Sequence, residues 1–126
     1  MKLISVPGEP SPAGHYSPVV EAGGFVFVSG MLPSTNPEDA QRDDFETQSR
    51  RVLTRCAQAL AAAGCSFEHV AQCTVYIVGK QHWASFNQVY REMFGPHKPA
   101  RAVVPVPDLN HGFLVEVTMT AYRGEG

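Results

Sequence analysis

The chain has 126 residues, 44% of them hydrophobic and 17% charged, with a formal net charge of −2 at neutral pH. That length suits a single domain over residues 1–126 with one real core, and that composition excludes a disordered chain. The mild acidity offers no basic footprint for nucleic acid, and the longest uncharged apolar run, residues 23–33, is too short to cross a bilayer.

A short, weak strand is expected over residues 2–5. Lys2 leads straight into Pro7, Pro10 and Pro12, which argues against a secretion signal. Residues 6–18 and 31–43 are rich in Pro, Gly, Ser and Asn and are expected as loops. Between them, residues 19–21 and 25–29 are β-branched or aromatic and flank Ala22-Gly23-Gly24, a hairpin turn. Apolar residues then recur at helical spacing: Phe45, Val52, Cys56, Leu60 and Ala63. Asp43 with Glu46 forms a candidate capping box for this helix, and Gly64 supplies its stop.

Residues 70–78 alternate as a strand does, with Gln72 and Thr74 set against Ala71, Cys73, Val75 and Ile77. A second helix is expected over residues 81–94. It carries Trp83, Phe86, Asn87, Tyr90, Met93 and Phe94 along one side and ends at Gly95-Pro96. Trp83, Phe86, Tyr90 and Phe94 are assigned to the core. Two further strands, over residues 101–106 and 113–122, are separated by a turn at residues 107–112. The order β-β-β-α-β-α-β-β is an α+β pattern.

Two helices can cover only one face of such a sheet. Yet residues 25–28 (Phe-Val-Phe-Val) are apolar on both faces, and the last strand sets Val115, Val117 and Met119 against Leu114 and Tyr122. An uncovered apolar face of that extent is rare on a monomer, so a homo-oligomer with packed sheet faces is expected.

Cys56, Cys65 and Cys73 are odd in number and lack C-x-x-C spacing, which points to buried thiols in a reduced, cytoplasmic chain. His15, His69, His82, His97 and His111 show no metal-ligand spacing, so neither a metal nor another cofactor is expected. Ser29-Gly30 lacks the preceding glycine of a nucleophile elbow, and no phosphate-binding loop is present. Arg101 opens an apolar strand directly after Pro99-Ala100. A guanidinium there suits planar, bidentate binding of a carboxylate, and equally an ion pair with Glu or Asp at the sheet edge. The residues alone slightly favour the ion pair.

Five segments in order resemble one family: Gly14-His15-Tyr16-Ser17-Pro18; residues 26–33, Val-Phe-Val-Ser-Gly-Met-Leu-Pro; Asn87-Gln88-Val89-Tyr90; Pro99-Ala100-Arg101; and Val115-Glu116-Val117. The resemblance is to the Rid family, also called YjgF, and runs from Pro12 to Arg123. It implies a chorismate-mutase-like fold assembled as a homotrimer with clefts between subunits. It also implies hydrolysis of reactive enamines and imines to keto acids and ammonia, with Arg101 binding the substrate carboxylate. Backbone groups of Ala102 and Val103 would hold the imine nitrogen. Tyr16, Ser29, Gly30 and Asn87 match cleft residues, although Tyr16 could equally pack at an interface and Asn87 could cap a loop carbonyl.

Such chemistry needs no nucleophile or metal, only a held carboxylate and an aimed water. The family's deaminases orient that water with a glutamate in an E-x-E of the last strand. Here the segment is Glu116-Val117-Thr118, taken so that Glu116 matches the first glutamate and Thr118 stands at the catalytic position. The family cysteine two residues after the arginine is Val103. The water-orienting group is then a backbone carbonyl, Thr118 acting through water, or His111 from the neighbouring loop. Two other functions fit the same resemblance. One is a binding or regulatory module for small metabolites that does no hydrolysis; the other is an endoribonuclease, which the net charge and the lack of interleaved basic and aromatic residues count against. A chaperone-like surface role would leave no trace in the residues.

Overall fold

The computed structural model describes residues 1–124. The longest amphipathic segment forms helix α2 (Phe45–Ala62), which buries Val52, Leu53, Cys56, Ala59 and Leu60 along one stripe. Its N-cap is Asp44, not Asp43: the Asp44 carboxylate accepts the Thr47 N–H at 2.8 Å. Asp43 instead pairs with Arg42 and Arg51. Gly64 ends the helix as expected, with a φ of +76° that only glycine adopts without strain.

The strands are β1 (Lys2–Ile4), β2 (Val19–Ala22), β3 (Phe25–Met31), β4 (Val70–Ile77), β5 (Ala100–Pro105) and β6 (Val115–Tyr122). They form one sheet in the order β1-β2-β3-β6-β4-β5. Every pairing is antiparallel except β4 with β5, and helix α3 (Trp83–Phe94) makes the crossover that a parallel pair requires. Both long helices lie on one face, where Val26, Val28, Cys73, Val75, Ile77, Val115, Val117, Met119 and Ala121 make the core. This is the mixed α+β architecture expected from the element order.

Several local expectations are corrected. The segment 31–43 is not loop throughout: α1 (Asp39–Arg42) forms one helical turn, because the buried Asp39 carboxylate gathers the Ser34 hydroxyl, Arg42 and Arg51. Ala71 is exposed, since the β4–β6 register is irregular between Val70 and Gln72. A 3-10 turn at Lys80–His82 precedes α3, and another at Asn110–Gly112 precedes β6. Leu114 lies before β6 and packs partly against the core instead of standing on the open face. Trp83 is not core either: it is 47% exposed at the first turn of α3.

Opposite the helices the sheet is bare. Phe25, Phe27 and Tyr122 are 43%, 45% and 46% exposed, and Leu3 more so. The Phe25 ring sits 4.9 Å from Tyr122 and 6.3 Å from Phe27, so the aromatic surface is continuous.

Candidate functional site

Of the expected site residues, Asn87 and Arg101 line one cleft and Tyr16, Ser29 and Gly30 line another that shares no lining residue with it, whereas Ala102, Val103 and Thr118 line neither. The first is built by α3 and β5. Helical spacing puts Trp83, Asn87, Tyr90, Arg91 and Phe94 on one side of α3. Period-two alternation puts Arg101 on the helix side of β5, level with Cys73 of β4. The guanidinium therefore lies over aromatic rings, 4.7 Å from the centre of Tyr90 and 5.9 Å from that of Trp83. Its Nη1 donates to Oδ1 of Asn87 at 3.0 Å. Among the described residues no carboxylate pairs with Arg101, so the edge ion pair is not what this arginine makes.

Beneath it, burial pushes the Cys73 thiol up to about 11, so this sulfur is neutral and adds no charge at the cleft. The cleft has a volume of about 470 Å³ and opens beside the unpaired edge of β5. The Val106 N–H donates to the Ile77 carbonyl at 2.9 Å, which fixes the alternation of β5. Even-numbered residues turn their backbone groups to β4, and Arg101 and Val103 turn theirs to the free edge. Pro105, which has no N–H, falls on that free edge. Of the two backbones expected near the substrate, Val103 thus presents its groups outward and Ala102 does not.

The second cleft, about 620 Å³, lies among the N-terminal loop, β3, β6 and the turn before β6. Tyr16, Ser29, Gly30, His111 and Glu116 line it. Val28 pairs with Met119 but Met31 with Val117, so Ser29-Gly30 forms a bulge, three steps on β3 against two on β6. Ser29 Oγ donates to the Ser17 carbonyl at 2.6 Å, and Ser29 N donates to Pro18 at 2.9 Å; together they hold the loop that carries Tyr16. Arg55 holds the same loop further back: it donates to both Glu9 carboxylate oxygens, at 2.8 and 2.9 Å, and to the Leu32 carbonyl at 2.6 Å.

Gly30 is small for a reason. A Cβ there would stand 2.5 Å from Glu116 Oε2, so only glycine leaves the carboxylate its place over the bulge. Burial raises the Glu116 carboxyl above the usual range. Thr118 is one strand period further on, and its hydroxyl donates to the Val28 carbonyl at 2.5 Å. The acceptor that reaches the cleft is therefore Glu116, not Thr118. Period two puts both on one face of β6, and only the bulge in β3, invisible in the sequence, decides between them. His111 lines the same cleft with a φ of +64°, the single positive value of a non-glycine residue among those described. No group of three or more His, Cys, Asp and Glu converges among the described residues, and no helix there is long and apolar enough to cross a membrane.

Comparison with known proteins gives a consistent result. The family model described as Endoribonuclease L-PSP matches residues 7–123. A RutC family protein of Pyrococcus horikoshii is 36% identical over 124 residues, which cover 97% of this chain and 98% of that protein. Protein DfrA of Myxococcus xanthus is 35% identical over 124 residues, 95% of this chain and 94% of the other. The crystal structure of E. coli TdcF with bound serine matches with a TM-score of 0.88 at 30% identity, over 98% of this chain and 100% of that one. The YjgF gene product of E. coli matches with a TM-score of 0.87 at 28% identity, over 98% and 99% of the two chains.

Proposed function

The chain belongs to the endoribonuclease L-PSP family, also called YjgF or Rid, and from that premise we propose that it is a hydrolytic deaminase of enamines and imines that carry a carboxylate. The observation that carries this reading is Arg101: a guanidinium clamped by Asn87, Tyr90 and Trp83 at a cleft, without a carboxylate of its own among the described residues. An oriented arginine lying over aromatic rings in this way suits a planar carboxylate. That TdcF was crystallised with serine, a small carboxylate, supports the same choice.

Hydrolysis proceeds by attack of water on the imine carbon. An enamine first gains a proton on carbon to become the imine. The Glu116 carboxylate takes a proton from water as the C–O bond forms, and the proton passes to nitrogen. The carbinolamine hydroxyl then gives up its proton, which passes to nitrogen as the C–N bond breaks, releasing ammonia and leaving the keto acid. Val103 backbone groups at the free edge of β5 hold the nitrogen, and Tyr16 donates a hydrogen bond across the cleft. Glu116 takes the part first given to Thr118, whose hydroxyl is already engaged by Val28.

Arg101 and Glu116 line different clefts of one chain, so the reading requires that the two halves come from neighbouring subunits. A homotrimer meets that need and covers the bare aromatic face at Phe25, Phe27 and Tyr122. The three buried thiols agree with a reducing, cytoplasmic setting. RNA cleavage is the weaker alternative. The arginine-bearing face of α2 has its cations already engaged: Arg50 by Glu46 and Glu92, Arg51 by Asp39 and Asp43, Arg55 by Glu9.

Ammonia release from 2-aminoacrylate and longer imino acids generated in situ tests the proposal. The wild type accelerates release, and Arg101→Ala and Glu116→Gln each lower the acceleration about 10²-fold or more. Absence of acceleration on every imino acid, with keto-acid binding intact, would replace the enzyme with a binding module.

A further inference from the structure

The chain has ten lysines and arginines. Arg42, Arg50, Arg51, Arg55 and Arg123 each pair with a carboxylate. Of the other five cations, three line the single cleft at Asn87 and Tyr90: Arg91, Lys98 and Arg101. No Asp or Glu is among the residues lining that cleft. Glu92, next to Arg91 in sequence, turns away to Arg50 at 3.0 Å.

Like charges gathered without compensation repel one another and raise the local positive potential. This fold matches its other arginines with carboxylates, yet among the described residues it leaves three cations unmatched where the substrate is proposed to sit. Their placement is ordered. Arg91 stands one turn along α3 from Asn87, the residue that holds Arg101, a separation of about 5–6 Å between Cβ atoms. Lys98 comes from the opposite rim, on the short connection between α3 and β5. That connection is fixed on either side of the lysine: His97 shares a 2.7 Å hydrogen bond with the Val70 carbonyl, and Pro99 leads into β5.

We infer that the preferred substrate carries a second carboxylate, one group held by Arg101 and the other by Arg91 and Lys98. The substrate class is an enamine or imine of a dicarboxylic acid, and its product a 2-oxo dicarboxylate. This inference rests on the reading of Arg101 as the carboxylate anchor.

Calorimetric titration of the assembled protein with 2-oxobutyrate and with 2-oxoglutarate tests it. At low salt the dicarboxylate binds about five- to tenfold more tightly, and the gap narrows towards parity near 1 M salt. The double variant Arg91→Ala, Lys98→Ala brings 2-oxoglutarate down to the affinity of the monocarboxylate. Equal affinities for the two acids in the wild type, or a preference that survives the double substitution, would overturn the inference while leaving the anchor in place. If neither acid shows binding that depends on Arg101, the anchor reading fails and the inference falls with it.

Discussion

Gly30 and Glu116 compete for one small volume, and that contest decides what the second cleft can do. An alanine at Gly30 meets the tip of a flexible carboxylate, which can move aside without breaking the sheet. Gly30→Ala should therefore fold with little change in Tm and lose most of its deaminase rate, a split that calorimetry and an ammonia assay would reveal together. Glu116 itself makes a second separation visible. Its carboxyl is raised in the fold by burial, so the fold favours the protonated form more than the unfolded chain does. The stability it contributes is full below the ordinary carboxylate range and is lost as pH rises through the raised value. Glu116→Gln should thus match the wild type in acid, equal or exceed it in Tm near neutrality, and lose activity about 10²-fold or more. A variant that loses stability near neutrality would contradict this account of the carboxyl. At this scale Arg101 stood out as an unusual arginine opening an apolar strand, but the residues alone favoured an edge ion pair, and its expected place at a cleft came from the resemblance. That Glu116 lines a cleft and Thr118 does not was hidden, because alternation treats them alike. Trp83 misled for a related reason: its spacing marks one side of α3 correctly, but that side runs from the core out over Arg101.

Among the elements, α2 shows how a polar residue can be as structural as a leucine. Gln48 is fully buried; its Nε2 donates to the Asp43 carbonyl at 3.0 Å, and its Oε1 accepts the Leu114 N–H at 2.9 Å. One side chain thus ties the start of α2 to the chain entering β6. Gln48→Leu leaves a half-buried N–H and a carbonyl without their partner and should cost about 1–3 kcal/mol in urea unfolding. A cost near zero would mean that solvent or a shifted backbone replaces both bonds. The periodic stretches, α2, α3, β3 and β4, were readable from their spacing because burial imposes it directly. The cap of α2 and the turn α1 were not. Both depend on which of three neighbouring aspartates, Asp39, Asp43 or Asp44, meets Ser34, Arg42, Arg51 or the Thr47 N–H, and that is a tertiary outcome.

For the whole molecule, the expectation of an uncovered apolar face came from counting helices against sheet faces, and the bare aromatic surface at Phe25, Phe27 and Tyr122 is that face. If copies of the chain cover it, a charge in its centre should separate them. Phe27→Asp is expected to shift the proposed trimer to a smaller species in analytical ultracentrifugation and to lower the proposed activity with it. An unchanged mass would mean that this face is not the interface. On the proposed shared site, the topology also explains why one chain holds only half of it. Arg101 is on the edge strand β5 on the helix side, whereas Glu116 is on the central strand β6 beside the bulge of β3.

The most direct measurement is ammonia release from 2-aminoacrylate by Arg101→Ala, by Glu116→Gln, and by the two variants refolded together in equal amounts. Each variant alone should be nearly inactive. In random mixed assemblies about one site in four receives an intact arginine from one subunit and an intact glutamate from its neighbour. The account predicts recovery to about a quarter of the wild-type rate. A mixture no more active than its components would contradict a shared site built from Arg101 and Glu116.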